Sequence, residues 1–135
     1  MNTYKTTRAL AAALIGLALA GIATIAHAEI KDYEFQLVDP IVKTGPESVI
    51  TVRLVNKITR KPVPDAVIFA TRLDMAPDSM PEMTTRLTSM PSSEPGTYRF
   101  RANVSMAGGW QLSLGAKVQG ETGTVESKLV IKVEK

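Results

Sequence analysis

Residues 97–118, TYRFRANVSMAGGWQLSLGAKV, contain the clearest periodicity in the chain. Apolar residues alternate with polar ones in the first half, and this period of two is that of a half-buried strand. The pair Gly108-Gly109 then marks a turn. The alternation resumes at Trp110, so the segment predicts two strands joined by a short turn. The residues predicted to face the core are Tyr98, Phe100, Ala102, Val104, Trp110, Leu112, Leu114, Ala116 and Val118.

The same period recurs on both sides of this segment. Strands are predicted at about 33–39, 48–55, 65–73, 84–88 and 125–133, with turn residues between them. The strand at 65–73 is the most uniformly apolar, which predicts a central strand covered on both faces. The whole pattern predicts an all-β fold, an immunoglobulin-like antiparallel β-sandwich of about seven strands. Inward residues expected on the other strands are Tyr33, Phe35, Leu37, Ile50, Val52, Leu54, Val125, Leu129, Ile131 and Val133.

Two aromatic residues fit this architecture. The sequence Pro95-Gly96-Thr97-Tyr98 resembles a tyrosine corner, in which the tyrosine hydroxyl bonds to nearby backbone. Trp110 has inward parity, and a buried tryptophan near the centre of the sandwich is common in this fold. Stacking of its ring on a bound cation is the alternative role.

Residues 1–28 are predicted to form a signal peptide helix. Lys5 and Arg8 precede an apolar run at 9–25, and Ala26-His27-Ala28 provides a small-residue cleavage site. Cleavage would leave a mature domain of residues 29–135 in the periplasm. The alternative is that the run stays as an anchor, since about 18 apolar residues can span a bilayer. No later segment is apolar enough to span, so no stable membrane insertion is expected after cleavage.

Composition narrows the possible functions. The chain has no cysteine, and its one histidine, His27, lies in the leader. The mature domain therefore lacks the usual general base, the usual nucleophile pairings and the preferred zinc ligands, so no enzyme is expected. Removing Lys5 and Arg8 leaves 14 basic and 13 acidic residues, so the formal charge falls from +3 to +1. Such a chain has little electrostatic attraction to nucleic acid, which is not an expected partner.

The methionines form the most unusual cluster in the sequence. Apart from the initiator, all five fall between residues 75 and 106. Thioethers are soft, neutral ligands that suit monovalent copper or silver. We therefore predict a Cu(I) or Ag(I) site, on the condition that the loop at 73–84 and the turn at 105–109 lie at the same pole of the sandwich. The predicted ligands are Met75, Met80, Met83 and Met106.

Other interpretations of this region stay open. Methionine also fills irregular gaps in cores, and Met106 keeps the inward parity of Val104, which favours a core position. Met80 and Met83 lie among polar residues and prolines, so they are the strongest ligand candidates. Calcium binding or carboxylate chemistry is a further alternative, although a calcium loop normally has glycine and denser oxygen ligands. The carboxylates concerned are Asp74, Asp78 and Glu82.

Three stretches carry a family resemblance: DMAPDSMPEM at 74–83, EPGTYRF at 94–100 and MAGGW at 106–110. Together they resemble the YtkA-like/FixH-like family of exported domains. The resemblance implies a small immunoglobulin-type sandwich and metal handling beside periplasmic adaptors of heavy-metal efflux pumps. It marks Met75, Met80, Met83 and Met106 as the positions of interest. FixH-named relatives are tied to oxidase maturation.

Two functions are expected from these observations. The first is a periplasmic protein that holds Cu(I) or Ag(I) through loop methionines and delivers the ion to an efflux adaptor or an oxidase-assembly protein. The second is a metal-free interaction module, in which the same loop and a sheet edge dock onto such a partner and methionine supplies adaptable contacts.

Overall fold

The structure, a computed structural model, describes residues 29–135, and the predicted signal peptide lies outside the described residues. Nine strands occur within this range, and they form two packed sheets. The strands are β1 Tyr33–Leu37, β2 Ile41–Lys43, β3 Gly45–Asn56, β4 Val67–Met75, β5 Met80–Thr85, β6 Leu87–Met90, β7 Thr97–Val104, β8 Gly108–Lys117 and β9 Val125–Glu134. The predicted all-β immunoglobulin-like sandwich is thereby confirmed.

The first sheet has the order β1-β3-β7-β6 and the second has the order β2-β9-β8-β4-β5. All strand pairs are antiparallel except β2 with β9, which is parallel. The predictions missed β2 because three residues are too short to show an alternation. They also merged β5 and β6 into one strand, whereas the chain passes from the second sheet to the first between Thr85 and Leu87.

The core lies between the two sheets, and the alternating residues fill it as predicted. On β7 and β8 every residue predicted to face inward is buried except Tyr98, which is half-buried. Tyr98 is a corner residue: its hydroxyl donates to the Val63 carbonyl at 2.7 Å and accepts from the Ala66 amide at 3.1 Å. These bonds tie the entry of β4 to β7, and burial raises the pKa of Tyr98.

One prediction about the sheets is wrong. The segment around 65–73 is not a central strand covered on both faces, because Val67 and Phe69 on β4 are 64% and 57% exposed. The fully buried residues of β4, Leu73 and Met75, lie in its second half, whereas in the first half Ile68 is half-buried against the core. The apolar run therefore combines a mostly exposed half and a half that enters the core, which composition alone does not separate.

No helix within residues 29–135 has the length and hydropathy of a membrane span.

Candidate functional site

The hairpin between β4 and β5 builds one end of the sandwich. The chain leaves β4 at Met75, makes a 3₁₀ turn at Ala76–Asp78 and enters β5 at Met80, opposite Met75. Pro77 suits this turn because the first helical positions need no backbone N–H donor. Ser79 has a φ of 63°, a left-handed conformation that lets the chain reverse. The segment predicted as a polar loop is thus an ordered hairpin.

The buried carboxylate of Asp74 holds this hairpin in shape. Its Oδ1 accepts a hydrogen bond from the Ala76 amide at 2.9 Å, and its Oδ2 accepts one from Arg72 Nε at 2.7 Å. Arg72 Nη2 also donates to the Pro81 carbonyl at 2.8 Å, so one guanidinium joins both arms of the hairpin. Because a buried carboxylate needs such partners, Asp74 is a structural residue rather than a free ligand.

The turn that follows β7 packs directly against the hairpin. The Gly109 amide donates a hydrogen bond to Asp78 Oδ2 at 3.1 Å. A Cβ atom at Gly108 would collide with Asp78 Oδ2 and would lie 2.9 Å from Met75 Cε. Glycine at position 108 is therefore required by this close approach as well as by its φ of 140°. The hairpin and the turn therefore share one pole, which is the condition stated for the predicted metal site.

We call this end of the molecule the methionine pole, defined by Met75, Met80, Met83 and Met106. Met75 has no exposed surface and belongs to the hydrophobic core. Met80 faces it across the hairpin and is half-buried against that core. Met83, farther along β5, is 38% exposed. The fifth methionine, Met90, lies on β6 in the other sheet.

Met106 occupies the turn and is 41% exposed, so the expected core position is wrong. The alternation ends because β7 stops at Val104, and parity has no meaning beyond the last residue of a strand. The Met106 carbonyl accepts a hydrogen bond from Trp110 Nε1 at 2.9 Å, which folds the turn back onto β8. Trp110 itself is buried, as predicted from its parity.

The arrangement provides sulfur atoms at three levels of accessibility. Met83 and Met106 reach solvent, Met80 lies partly beneath the surface, and Met75 is sealed below. Of the four predicted ligands, Met75 and Met80 are paired across the hairpin in the strand register. The structure also places the turn that carries Met106 against the methyl group of Met75, through Gly108.

The oxygen-based alternatives find no support in this arrangement. Asp74 and Asp78 are committed to the hydrogen bonds that hold the hairpin and the turn. Within residues 29–135, no three or more His, Cys, Asp or Glu side chains are grouped to hold a metal ion. A groove of about 520 Å³ on the second sheet is lined by residues such as Phe69, Gly115 and Lys128, and by none of the methionines.

Sequence reasoning did not identify Asp78 or Arg72 as the residues that join the pole together. From the sequence, Asp78 is either a residue of a solvated loop or a metal or acid/base candidate. The adjacent glycines 108 and 109 were the available signal, since such a pair allows close approach of another backbone as well as a turn. The residue that approaches is Asp78, which lies 31 positions from Gly109 in the sequence. Local sequence spacing does not predict a contact over that distance.

The fold and the site together define a small immunoglobulin-like β-sandwich with a methionine-containing hairpin and turn at one pole. The chain belongs to the YtkA-like family, whose model matches residues 27–115. This confirms the YtkA-like part of the resemblance drawn from the three sequence stretches.

Comparison with curated proteins found no match. Among solved structures, the chain is similar to the Lin-41 filamin domain, with 16% identity and a TM-score of 0.44 over 80% of this chain and 95% of that one. It is also similar to the ZirS C-terminal domain, with 12% identity and a TM-score of 0.46 over 98% of this chain and 87% of that one. At this identity neither similarity bears on function.

Proposed function

We propose that this protein is a periplasmic carrier of Cu(I) or Ag(I) that holds the ion at the methionine pole. The observation that supports the proposal is the contact between the hairpin, which carries Met75, Met80 and Met83, and the turn, which carries Met106. Met80, Met83 and Met106 supply the accessible sulfurs. Met75 is buried in the core beneath them and can act as a ligand only if its side chain rotates toward the surface.

The chemistry of the donors selects the ion. Thioether sulfur is neutral and soft, so it binds monovalent copper or silver without losing a proton and binds hard cations poorly. Residues 29–135 contain no cysteine or histidine that would hold the ion more tightly or favour divalent copper. A site of neutral ligands near the surface releases its ion readily, which suits delivery to a partner.

The test is a titration of the purified protein with Cu(I) in the presence of a competing chelator. We expect one bound ion, with binding lost in the double variant Met80→Leu plus Met83→Leu and weakened in Met106→Leu. Leucine preserves volume and apolarity, so the melting temperature should change little. Met90→Leu is the matched control, because it makes the same substitution on β6, away from the pole. Equal binding by the double variant and this control would exclude ligation at the pole.

A metal-free interaction module is the second candidate, and the burial of Met75 favours it. A sulfur sealed in the core needs no metal to explain it, and exposed methionines such as Met83 and Met106 give adaptable contact area for a partner. In the titration this candidate corresponds to a parent protein that binds no Cu(I).

For either function, the partner we propose is a periplasmic efflux adaptor or an oxidase-assembly protein, as the YtkA-like and FixH-like resemblance implies. Release of the domain into the periplasm depends on cleavage after Ala28. Mass spectrometry of the exported protein should therefore find Glu29 at the N-terminus, and retention of residues 1–28 would favour a membrane-anchored form. We infer no enzymatic activity, since residues 29–135 offer no histidine or cysteine for the usual nucleophile and base pairs.

A further inference from the structure

The carboxylate of Asp78 lies where the hairpin meets the turn. Its Oδ2 accepts the hydrogen bond from the Gly109 amide at 3.1 Å. A Cβ atom at Gly108 would lie 2.9 Å from Met75 Cε and closer still to Asp78 Oδ2. The carboxylate of Asp78 and the thioether of Met75 therefore border the same small space beside the turn. Met80, which is paired with Met75, belongs to the same hairpin.

The charge of Asp78 is uncompensated within the part of the chain that the structure describes, where this residue forms no ion pair. The other aspartate of the hairpin, Asp74, is buried and forms an ion pair with Arg72 at 2.7 Å. The ammonium group of Lys132, on β9, pairs with Glu134 at 3.5 Å. A hydrogen bond from a neutral amide holds a carboxylate in place without removing its charge. Asp78 therefore gives the methionine pole a fixed negative charge.

We propose that Asp78 is an electrostatic specificity residue of the methionine pole, which favours a monovalent cation there from outside the ligand shell. This role rests on the proposed function. Thioether sulfurs are neutral, so a Cu(I) or Ag(I) ion bound by them alone keeps its positive charge. A negative charge held beside such ligands stabilises the bound ion. Groups outside the ligand shell of a metal typically change its affinity by about 10–100-fold.

The orientation of Asp78 indicates that it acts through its charge and not as a ligand. Both carboxylate oxygens face the glycine pair, because Oδ2 crowds the Cβ position of Gly108 and Oδ1 lies 3.1 Å from that of Gly109. Oδ2 is also engaged by the Gly109 amide. A soft monovalent ion binds sulfur in preference to oxygen. The hydrogen bond that joins the hairpin to the turn thus also fixes the position of the charge.

The expected effect is moderate because Asp78 is exposed to solvent. For two unit charges about 5 Å apart in water, Coulomb's law corresponds to a factor of about four in affinity. The core beside Met75 and Met80 is apolar, which increases this factor, whereas dissolved salt decreases it. We therefore expect the charge of Asp78 to raise the affinity for Cu(I) or Ag(I) by about four- to tenfold at low ionic strength.

The variant Asp78→Asn separates the charge from the hydrogen bond, because the asparagine oxygen can still accept from the Gly109 amide. Protein purified after expression of the full sequence is titrated with Ag(I) against a competing chelator, in sodium perchlorate because chloride binds silver. We expect Asp78→Asn to bind about four- to tenfold more weakly than the parent at an ionic strength of about 0.01 M, and the difference to shrink at about 0.15 M. Asp65→Asn is the matched control, since it removes the same charge from an exposed position beside Val118, beyond the far end of β8.

The dependence of the parent protein's affinity on ionic strength is a second measurement, and it needs no substitution. A parent affinity that is the same at both ionic strengths overturns the proposal, as does equal affinity of Asp78→Asn and Asp65→Asn. A loss in Asp78→Asn that is the same at both ionic strengths also overturns it, because a purely structural role of Asp78 would give that result. In these cases, loss of binding in Met80→Leu plus Met83→Leu leaves the proposed function intact. A parent protein that binds no Ag(I) overturns the proposed function, and the role of Asp78 with it.

Discussion

Gly108 tests the contact between the hairpin and the turn directly, and we expect Gly108→Ala to destabilise the protein strongly. An alanine here must adopt a φ of 140°, a conformation that costs an L-residue about 1–3 kcal/mol. Its Cβ also collides with Asp78 Oδ2, so Asp78 must move and loses its bond from the Gly109 amide. A hydrogen bond to a charged group contributes about 1.5–3 kcal/mol, and the lower end applies at this exposed position.

Together these effects should lower the free energy of unfolding of Gly108→Ala by about 3 kcal/mol or more. The matched control is Gly120→Ala, because Gly120 has a φ of 86° but no atom within 4 Å of the added Cβ. Only backbone strain of about 1–2 kcal/mol applies there. The difference between the two variants, about 2 kcal/mol, isolates the contact with the hairpin.

Urea denaturation followed by tryptophan fluorescence measures both variants, since the chain has one tryptophan and it is buried in the core. In a domain of this size each kcal/mol also lowers Tm by roughly 4 °C. Equal losses for Gly108→Ala and Gly120→Ala would refute the close approach of the turn to Asp78 and Met75. The methionine pole would then lack the contact that defines it.

Four further outcomes are expected. Tyr98→Phe should cost about 1–3 kcal/mol, because the Val63 carbonyl and the Ala66 amide lose their partner. Because burial raises the pKa of Tyr98, the folded state favours the protonated hydroxyl. The contribution of this hydroxyl to the free energy of unfolding is fully present below pH ~10 and decreases as the pH rises further. The parent protein should therefore lose more stability between about pH 9 and 11 than Tyr98→Phe, measured by urea denaturation at each pH. Asp74→Ala should cost about 1–3 kcal/mol by freeing Ala76 and Arg72, and should broaden the NMR signals of the hairpin. Leu112→Ala should lower the free energy of unfolding by about 2–5 kcal/mol, whereas Ile58→Ala, at an exposed position, should change it by less than about 0.5 kcal/mol.

The sandwich could be predicted because its central strands have one buried and one exposed face. On β7 and β8 the alternation of apolar and polar residues follows the burial of each side chain. The same reasoning failed on β4, where the second half enters the core and the first half is mostly exposed although both are rich in apolar residues. Burial there depends on which strand lies alongside, and that is a property of the topology.

Neither the shared location of the hairpin and the turn nor the roles of their methionines could be decided from the sequence. Strand order alone allows the loop after β4 and the turn after β7 to share one end of the sandwich. The burial of Met75 and the exposure of Met106 are the reverse of what their surroundings in the sequence suggest. Met75 is the last residue of β4 and still points into the core, whereas β7 ends before Met106. Parity predicts burial only while the strand continues.

X-ray absorption at the copper edge tests the central functional claim most directly. Protein loaded with one equivalent of Cu(I) should show a first shell of sulfur alone at about 2.3 Å, by analogy with zinc–sulfur bonds. The double variant Met80→Leu plus Met83→Leu should lose that shell, while Met90→Leu should retain it. A first shell of nitrogen or oxygen in the parent protein, or an unchanged sulfur shell in the double variant, would contradict copper binding at the methionine pole.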